Sequence, residues 1–254
     1  MKIAKALAAS VALFASTAAG FAADLPVKAL LSPAPVWSWT GFYGGVHVGA
    51  GWGTTESTLT RFSVAPPVIP PVNLNFPFSQ NSRSGFLGGA QAGYNWQTGW
   101  LVLGVQGDIA GLDVKGTTPC LVILSCTSKS NWLATVSGRV GAVVLDRGLV
   151  YVKGGAAWMN TDHSVNLPVI ANTQLTSVNS DAFGWLIGFG TEWMITRNWT
   201  AFVEYNYIEF DKKNEAFRIN TGAAAPFVLT VNADLTNKLS VAKAGVNYKF
   251  DWGR

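Results

Sequence analysis

The side chains that could act as a general base, a nucleophile or a metal ligand are few in this 254-residue chain. His47 and His163 are its only histidines, and His163 stands between Asp162 and Ser164. Nucleophilic catalysis needs a base held against its nucleophile, whereas three consecutive residues fit a solvated loop equally well. Neither a nucleophile elbow nor a metal-ligand motif occurs. We therefore expect no enzymatic activity, no metal and no other cofactor.

The two cysteines offer a different chemistry. Cys120 and Cys126 are separated by five residues, Leu-Val-Ile-Leu-Ser. In an exported protein, such a pair typically forms a disulfide that closes a small loop. Binding a metal would need more ligands than this region provides. The sequence therefore predicts a bond between Cys120 and Cys126.

Charged residues that alternate with apolar ones form the most informative set. They are Asp108, Arg139, Lys153, Glu192, Glu204, Lys243 and, near one end, Lys249. If they point into a barrel of eight strands, they share an interior that side chains just fill. Removing one partner of a buried ion pair costs about 3–5 kcal/mol, so such charges must pair. We expect Asp108, Arg139, Lys153, Glu192, Glu204 and Lys243 to form an ion-pair network that plugs the lumen. The alternative is a narrow pore, in which rearranged pairs let ions through.

The elements that must position these charges are extended segments with a period of two. In the last one, residues 239–250, Ala244, Val246, Tyr248 and Phe250 share one face, while Lys243, Asn247 and Lys249 share the other. Side chains of a strand alternate between its faces, so one face is apolar and the other polar. The same pattern recurs in eight segments: 42–52, 84–96, 100–111, 130–145, 149–159, 182–194, 199–210 and 239–250. A barrel whose apolar faces meet lipid and whose polar faces line a lumen explains this alternation. The predicted fold class is all-β, an eight-stranded antiparallel up-and-down transmembrane β-barrel.

Composition favours the same interpretation over a soluble sandwich. Charged residues make up 13% of the chain, against about 25% in a typical soluble domain. Without Lys2 and Lys5, 16 basic residues stand against 14 acidic ones. This near balance, with the basic residues scattered, gives no basis for a nucleic-acid partner.

The connections between segments alternate in length. Tight turns are predicted at 97–99, 146–148 and 196–198, with Gly or Asn expected at positive φ. Long loops are predicted at 53–83, 112–129, 160–181 and 211–236. Short turns on one side and long loops on the other are typical of outer-membrane barrels, whose long loops lie outside the cell. The proline-rich run 65–71 predicts polyproline II in the first loop, with an SH3-type ligand as the alternative. The apolar run 223–229 predicts a hairpin, with a partner contact as the alternative.

The first residues predict export. Residues 1–5 form a short basic region with Lys2 and Lys5, residues 6–19 are mostly apolar, and Gly20 and Ala22 offer small side chains at the two positions that a signal peptidase reads. This pattern is typical of a secretory signal peptide, here 1–22. A retained anchor is the alternative, but the apolar run is shorter than the ~20 residues needed to span a bilayer. A proline-punctuated lead-in segment, 23–36, would precede the barrel domain, 37–254.

Tryptophans concentrate near the ends of the predicted strands. Amphipathic rings suit the headgroup region of a membrane, so they predict two interfacial girdles, with contact to sugar or haem as the alternative for one or two of them. The set is Trp37, Trp39, Trp52, Trp96, Trp100, Trp132, Trp158, Trp185, Trp193, Trp199 and Trp252.

Four stretches resemble a known family. They are 24–26 (Asp-Leu-Pro), 39–49 (Trp-Thr-Gly-Phe-Tyr-Gly-Gly-Val-His-Val-Gly), 202–205 (Phe-Val-Glu-Tyr) and 243–250 (Lys-Ala-Gly-Val-Asn-Tyr-Lys-Phe). They are similar to small outer-membrane β-barrel proteins of alphaproteobacteria, porin-like surface antigens with an OmpA-type barrel. The resemblance covers essentially the whole mature chain.

The resemblance implies a location in the outer membrane and a role in envelope integrity and surface interaction. Its implied partners are outer-membrane lipid and lipopolysaccharide, the barrel-assembly machinery and, in some members, haem or a host ligand at the loops. The assembly machinery would read a C-terminal aromatic signal made by Tyr248 with Phe250 or Trp252. We expect a monomer or loose oligomer, and the alternative function is a narrow porin or ion channel for small solutes.

Overall fold

A computed structural model describes residues 37–65, 70–121, 124–167, 173–220 and 228–250. The predicted signal peptide, the lead-in segment and Trp252 lie outside these residues. The described part of the chain contains nine strands: β1 (Gly41–Ala65), β2 (Val72–Thr98), β3 (Leu101–Leu121), β4 (Leu124–Val144), β5 (Gly148–Leu167), β6 (Thr173–Met194), β7 (Trp199–Phe210), β8 (Lys213–Asn220) and β9 (Val228–Lys249). No helix among these residues is long and apolar enough to cross a bilayer.

The strands close into one antiparallel ring. Consecutive strands pair from β1 to β7, β7 pairs with β9, and β9 pairs with β1. The short β8 pairs with the first part of β9, from Lys213 opposite Leu235 to Asn220 opposite Val228. Strands β7 and β8 therefore occupy one position in the ring, interrupted at Asp211 and Lys212. The described residues form an eight-stranded barrel, and the predicted fold class is confirmed.

The predicted long loops are wrong for most of their length, because the strands continue through them. In the segment 53–83, β1 stays paired with β2 as far as Phe62 opposite Val72. In 112–129, Thr118 lies opposite Cys126, and comparable pairs fill 160–181 and 211–236. A continued ladder pairs the backbone amides and carbonyls, which irregular loops must satisfy otherwise. Over their described residues, the four connections are therefore long β-hairpins. Residues 223–227 of the apolar run 223–229 lie outside the described residues, so the hairpin predicted there stays a prediction.

Three of the described prolines lie in or just before β2. Residues 66–69, where polyproline II was predicted, lie outside the described residues, and Pro70 and Pro71 precede β2. Pro77 lies within β2 opposite Thr58, next to a register shift between Ser57 and Thr58. A bulge is where a ladder tolerates a residue that lacks an amide hydrogen.

The tight turns occur where they were predicted, but their backbone differs. Gly99 has φ of 60° as expected. In the second turn, the positive φ angles belong to Leu145 (50°) and Asp146 (61°), while Gly148 already pairs with Val144. A Cβ at Gly148 would lie 2.8 Å from Val144 Cγ2, so this glycine provides space. In the third turn, Asn198 Nδ2 instead donates a hydrogen bond to the carbonyl of Lys249.

The outward faces of the strands carry the apolar side chains, as predicted. Val105 and Val203 are 61% and 59% exposed. Aromatic residues border this surface near both ends. Phe183 and Trp193, ten residues apart on β6, are separated by about 33 Å along the strand, or about 25 Å along the axis at a tilt of ~40°. This matches the height of the apolar band on membrane barrels.

Two names distinguish the ends of the barrel. The turn end carries the three tight turns at 99–100, 145–147 and 195–198. The hairpin end carries the four connections that join β1 to β2, β3 to β4, β5 to β6 and β8 to β9. Strand β1 starts and β9 finishes at the turn end, where Tyr43 lies opposite Lys249.

Candidate functional site

A chain of buried charges crosses the middle of the lumen. Lys243 Nζ contacts Asp108 Oδ2 and lies 3.2 Å from Glu204 Oε1. Lys153 Nζ lies 2.7 Å from the same Glu204 oxygen, and His47 Nε2 lies 2.9 Å from Asp108 Oδ2. All five side chains are buried. The groups come from five strands, so ring closure brings them together.

A second pair completes this layer toward the turn end. Arg139 Nη1 lies 3.1 Å from Glu192 Oε2, and its Nε donates to Asn95 Oδ1 at 2.9 Å. The guanidinium also stacks on the rings of Tyr43 and Tyr151, with its carbon 4.7 and 5.1 Å from the centroids. Such stacking stabilises a cation that has little water around it. The structure thus holds Arg139 by an anion, an amide and two aromatic faces.

The structure brings the six residues of the predicted network together in one layer, where four of them form one connected group and Arg139 and Glu192 form a separate pair. The three carboxylates are Asp108, Glu192 and Glu204, and the three cations are Arg139, Lys153 and Lys243. Lys249 is not among them. It is half-buried at the turn end, and its Nζ donates to the carbonyl of Ser38 at 2.6 Å. Among these six residues, the carboxylates and the cations are equal in number.

Neutral polar side chains connect the ion pairs to one another. Tyr43 Oη donates to Gln106, Gln106 donates to Gln91, and Gln91 donates to Asn247 at 2.8 Å. Asn247 in turn donates to Glu192 Oε1 at 2.7 Å. Because an unpaired buried polar group is costly, this chain of donors and acceptors stabilises the arrangement of the charges.

Glycines provide the space for the large side chains of this layer. A Cβ at Gly93 would lie 2.5 Å from Tyr43 Oη, and one at Gly190 would lie 2.6 Å from Tyr151 Oη. These distances are too short for a real side chain. Gly93 and Gly190 are therefore the positions over which the two tyrosines lie.

An apolar layer, which the sequence analysis missed, fills the lumen between the ion pairs and the hairpin end. Its members are Leu87, Ala110, Leu112, Val114, Leu133, Ala157, Met159, Ala182, Leu186, Ile208, Phe210, Leu239 and Val241. We expected a polar lumen throughout. Near the hairpin end, however, several strands become apolar on both faces, as at Ile109 with Ala110, and this loss of alternation was the available signal.

The lumen is also closed by apolar side chains at the turn end. Trp39 is 2% exposed and packs with Val102, Leu149 and Met194. Its predicted place in the outer girdle is wrong. Trp37 is half-buried, with the Arg147 guanidinium carbon 4.5 Å from its ring centroid. The segment before β1 turns inward because the amide of Trp39 donates to Gln97.

The other described tryptophans are exposed on the outer surface, as the girdle prediction requires: Trp52, Trp96, Trp100, Trp132, Trp158, Trp185, Trp193 and Trp199. Tyr248 and Phe250, from the predicted assembly signal, also face outward. Their rings are in edge contact with centroids 5.3 Å apart.

His163 does not form a catalytic arrangement with its neighbours in sequence. It lies in β5 and not in a loop, points inward, and its Nδ1 is 2.9 Å from Ser128 Oγ. Asp162 takes the opposite face, where it accepts hydrogen bonds from Asn131 and Asn179. Burial lowers the pKa of His163 to about 4, so the imidazole is neutral at physiological pH. Within the described residues, no group of three or more His, Cys, Asp or Glu could hold a metal.

The structure describes the side chain of only one of the two cysteines. Cys126 is disulfide-bonded and lies opposite Thr118 in the β3–β4 hairpin. The side chain of Cys120 lies outside the described side chains, so its pairing with Cys126 stays a prediction.

A closed antiparallel barrel with an outward apolar band, aromatic borders and a filled polar-to-apolar interior defines a membrane β-barrel protein of the outer-membrane type. A family model for the outer membrane protein beta-barrel domain matches residues 6–250. The chain belongs to this family, in its alphaproteobacterial branch of outer-membrane proteins, and the family resemblance is confirmed.

Named relatives place the protein in the outer membrane. The 31 kDa outer-membrane immunogenic protein of Brucella melitensis biotype 1 is 32% identical, over 96% of this chain and 98% of the relative. The 22 kDa outer membrane protein of Rhizobium leguminosarum bv. viciae is 30% identical, over 76% of this chain and 72% of the relative. These relatives are named as outer-membrane proteins and not as enzymes.

Among solved structures, the outer membrane protein OprG from Pseudomonas aeruginosa resembles the chain with a TM-score of 0.53. The match covers 84% of this chain and 97% of OprG at 10% sequence identity. It supports the fold.

Proposed function

We propose that the protein is a structural and surface-interaction component of the outer membrane, a sealed barrel that displays four long hairpins outside the cell. The observation that carries this proposal is the filling of the lumen. The charges of the ion-pair layer balance, and the apolar layer above them contains Met159 and Phe210, both almost fully buried. A solute would have to displace both layers to cross. The barrel is therefore a structural component of the membrane, and the hairpins are the surface that interacts with other molecules.

Planar-bilayer conductance tests the seal. The purified protein should insert without producing stable current steps. Large, stable steps would instead favour the alternative function, a narrow pore for small solutes. A variant with Phe210→Ala and Met159→Ala, which empties part of the apolar layer, serves as the comparison. If it conducts while the original chain does not, the assay detects opening of this lumen.

The orientation and the export signal belong to the same proposal. Residues 1–22 would direct export, and the hairpin end would face the medium, where the relatives' description as immunogenic fits exposed hairpins. An epitope tag between Asn220 and Val228 should bind antibody on intact cells. A tag at Gly99, in a tight turn, should bind only after permeabilisation. The reverse pattern would refute the orientation.

The proposed partners follow from the surfaces. Lipid and lipopolysaccharide would cover the outward band, and the assembly machinery would read Tyr248 with Phe250, or Trp252. Haem or a host ligand would contact the hairpins. Exchange of both Tyr248 and Phe250 for alanine should reduce the amount of barrel in the outer membrane, whereas Val246→Ala, on the same face, should not.

A further inference from the structure

A cavity of about 340 Å³ opens inside the hairpin end, above the apolar layer. We call it the hairpin cavity. Its walls are mainly apolar and include Phe62, Phe76, Phe217 and Val231, while Asn81, Ser128 and His163 contribute polar groups. Ligand sites in proteins have this character, a concave apolar surface with a few polar groups, and volumes from about 300 Å³ upward.

The polar side has buried atoms that lack partners among the described residues. They are His163 Nε2, Asn81 Oδ1, and Nε and Nη2 of Arg83. Arg83 was missed as a lumen residue because it fell in a predicted loop. It is 2% exposed, and within the described part of the chain its hydrogen-bond partner is Ser130 Oγ, 3.0 Å from Nη1. No described carboxylate lies within 4 Å of it. An unpaired buried cation is strongly unfavourable.

Arg83 lies next to the polar side of the cavity. Its partner Ser130 and the cavity residue Ser128 are consecutive inward positions on β4, about 7 Å apart. Ser130 also contacts Thr161, and His163 is the next inward position on β5. The two side chains also interact electrostatically, since the positive charge of Arg83 contributes to the lowered pKa of His163. One anionic group could therefore reach both side chains.

We propose that the hairpin cavity binds a small amphipathic carboxylate, with its anionic group on Arg83 and His163 and its apolar body between the phenylalanines. A neutral His163 whose Nδ1 accepts the Ser128 hydroxyl hydrogen carries its own hydrogen on Nε2, so it can donate to a carboxylate. The guanidinium supplies a charge-assisted hydrogen bond. An uncharged apolar molecule would leave Arg83 unpaired, and a strongly hydrated polyanion would not desolvate into apolar walls.

The cavity is a binding site and not the entrance to a route across the membrane. The apolar layer closes it on the side of the ion pairs, with Leu87, Leu239 and Phe210 fully or almost fully buried there. Binding in the hairpin cavity is thus independent of whether the lumen conducts, and the two proposals fail separately.

The test uses the full barrel in phospholipid nanodiscs free of detergent, with fluorine-labelled octanoate as the probe in ¹⁹F NMR. Empty nanodiscs give the contribution of lipid partitioning. We expect saturable binding of octanoate, and weaker binding of the equally labelled octanol, which lacks the charge. Arg83→Gln should weaken octanoate binding about tenfold or more, the usual effect of losing a hydrogen bond to a charged partner. Lys115→Gln removes an exposed cation of β3 and should leave the affinity for octanoate unchanged.

A second variant guards against a folding defect in Arg83→Gln. Ala233 lines the cavity on β9 and is 3% exposed, so Ala233→Phe fills part of the space and leaves Arg83 and His163 in place. Heat-dependent gel mobility checks that each variant folds. Loss of octanoate binding in folded Ala233→Phe supports the site. Unchanged binding in folded Arg83→Gln, equal affinity for octanol, or no saturable signal above empty nanodiscs would overturn the proposal.

Discussion

Glu204 is the carboxylate on which two buried lysines depend. Its Oε1 lies 2.7 Å from Lys153 Nζ and 3.2 Å from Lys243 Nζ, and its Oε2 accepts a hydrogen bond from Tyr151. Glu204→Gln keeps the shape of the side chain and removes its charge. Lys243 still has Asp108, but Lys153 loses its carboxylate partner.

The expected loss of stability is large for a change of one charge. The layer would hold three cations and two carboxylates, with Lys153 buried and unpaired. Leaving one member of a buried pair in this state costs about 3–5 kcal/mol. Glu56→Gln is the matched control, because Glu56 pairs with Lys238 at 3.5 Å and both side chains are well exposed. An exposed pair of this kind contributes at most about 1 kcal/mol.

The free energy of unfolding is measurable by urea titration in small lipid vesicles, followed by tryptophan fluorescence and extrapolated to zero urea. A third variant separates charge from packing. Lys153→Met combined with Glu204→Gln restores equal numbers of cations and carboxylates, so the double variant should be about 2 kcal/mol more stable than Glu204→Gln alone, a coupling typical of residues in contact. The reasoning is refuted if Glu204→Gln and Glu56→Gln differ by less than about 1 kcal/mol, or if the double variant shows no recovery.

Three further outcomes follow from the same structure. A cysteine in place of Val203, on the lipid-facing surface, should resist labelling by a water-soluble maleimide in vesicles. A cysteine in place of the exposed Lys115 should be labelled. Rapid labelling at position 203 would contradict contact with lipid. Gly190→Ala should lower the free energy of unfolding by about 1–3 kcal/mol through overpacking, since its Cβ would lie 2.6 Å from Tyr151 Oη, and an unchanged urea midpoint would count against the close contact. Because burial holds the pKa of His163 at about 4, against about 6.5 when unfolded, stability from this residue is full above pH 6.5 and falls as the pH drops toward 4. His163→Asn should make that decline shallower in urea titrations across this range, and identical pH profiles would argue that the imidazole is hydrated.

The amino-acid sequence by itself determined the fold class and the two faces of each strand. The period of two is local, so the pattern around Val203 and Glu204 assigns one side chain to lipid and the next to the lumen without knowledge of any partner. It also identified the six charges of the ion-pair layer, since charged side chains on the inward face of a narrow barrel share one small lumen.

Tertiary structure decided which of those side chains meet and where each strand stops. Contacts such as Lys243 with both Asp108 and Glu204 depend on ring closure and register, which no single segment encodes. Arg83 was missed because hairpins extend as far as a partner strand supplies hydrogen bonds, and a local pattern does not reveal the partner's length. Most of the apolar layer lies within the predicted strands, and it was missed because the inward face was expected to be polar along its whole length. The inward direction of Trp39 also depends on another strand, because its amide donates a hydrogen bond to Gln97 of β2.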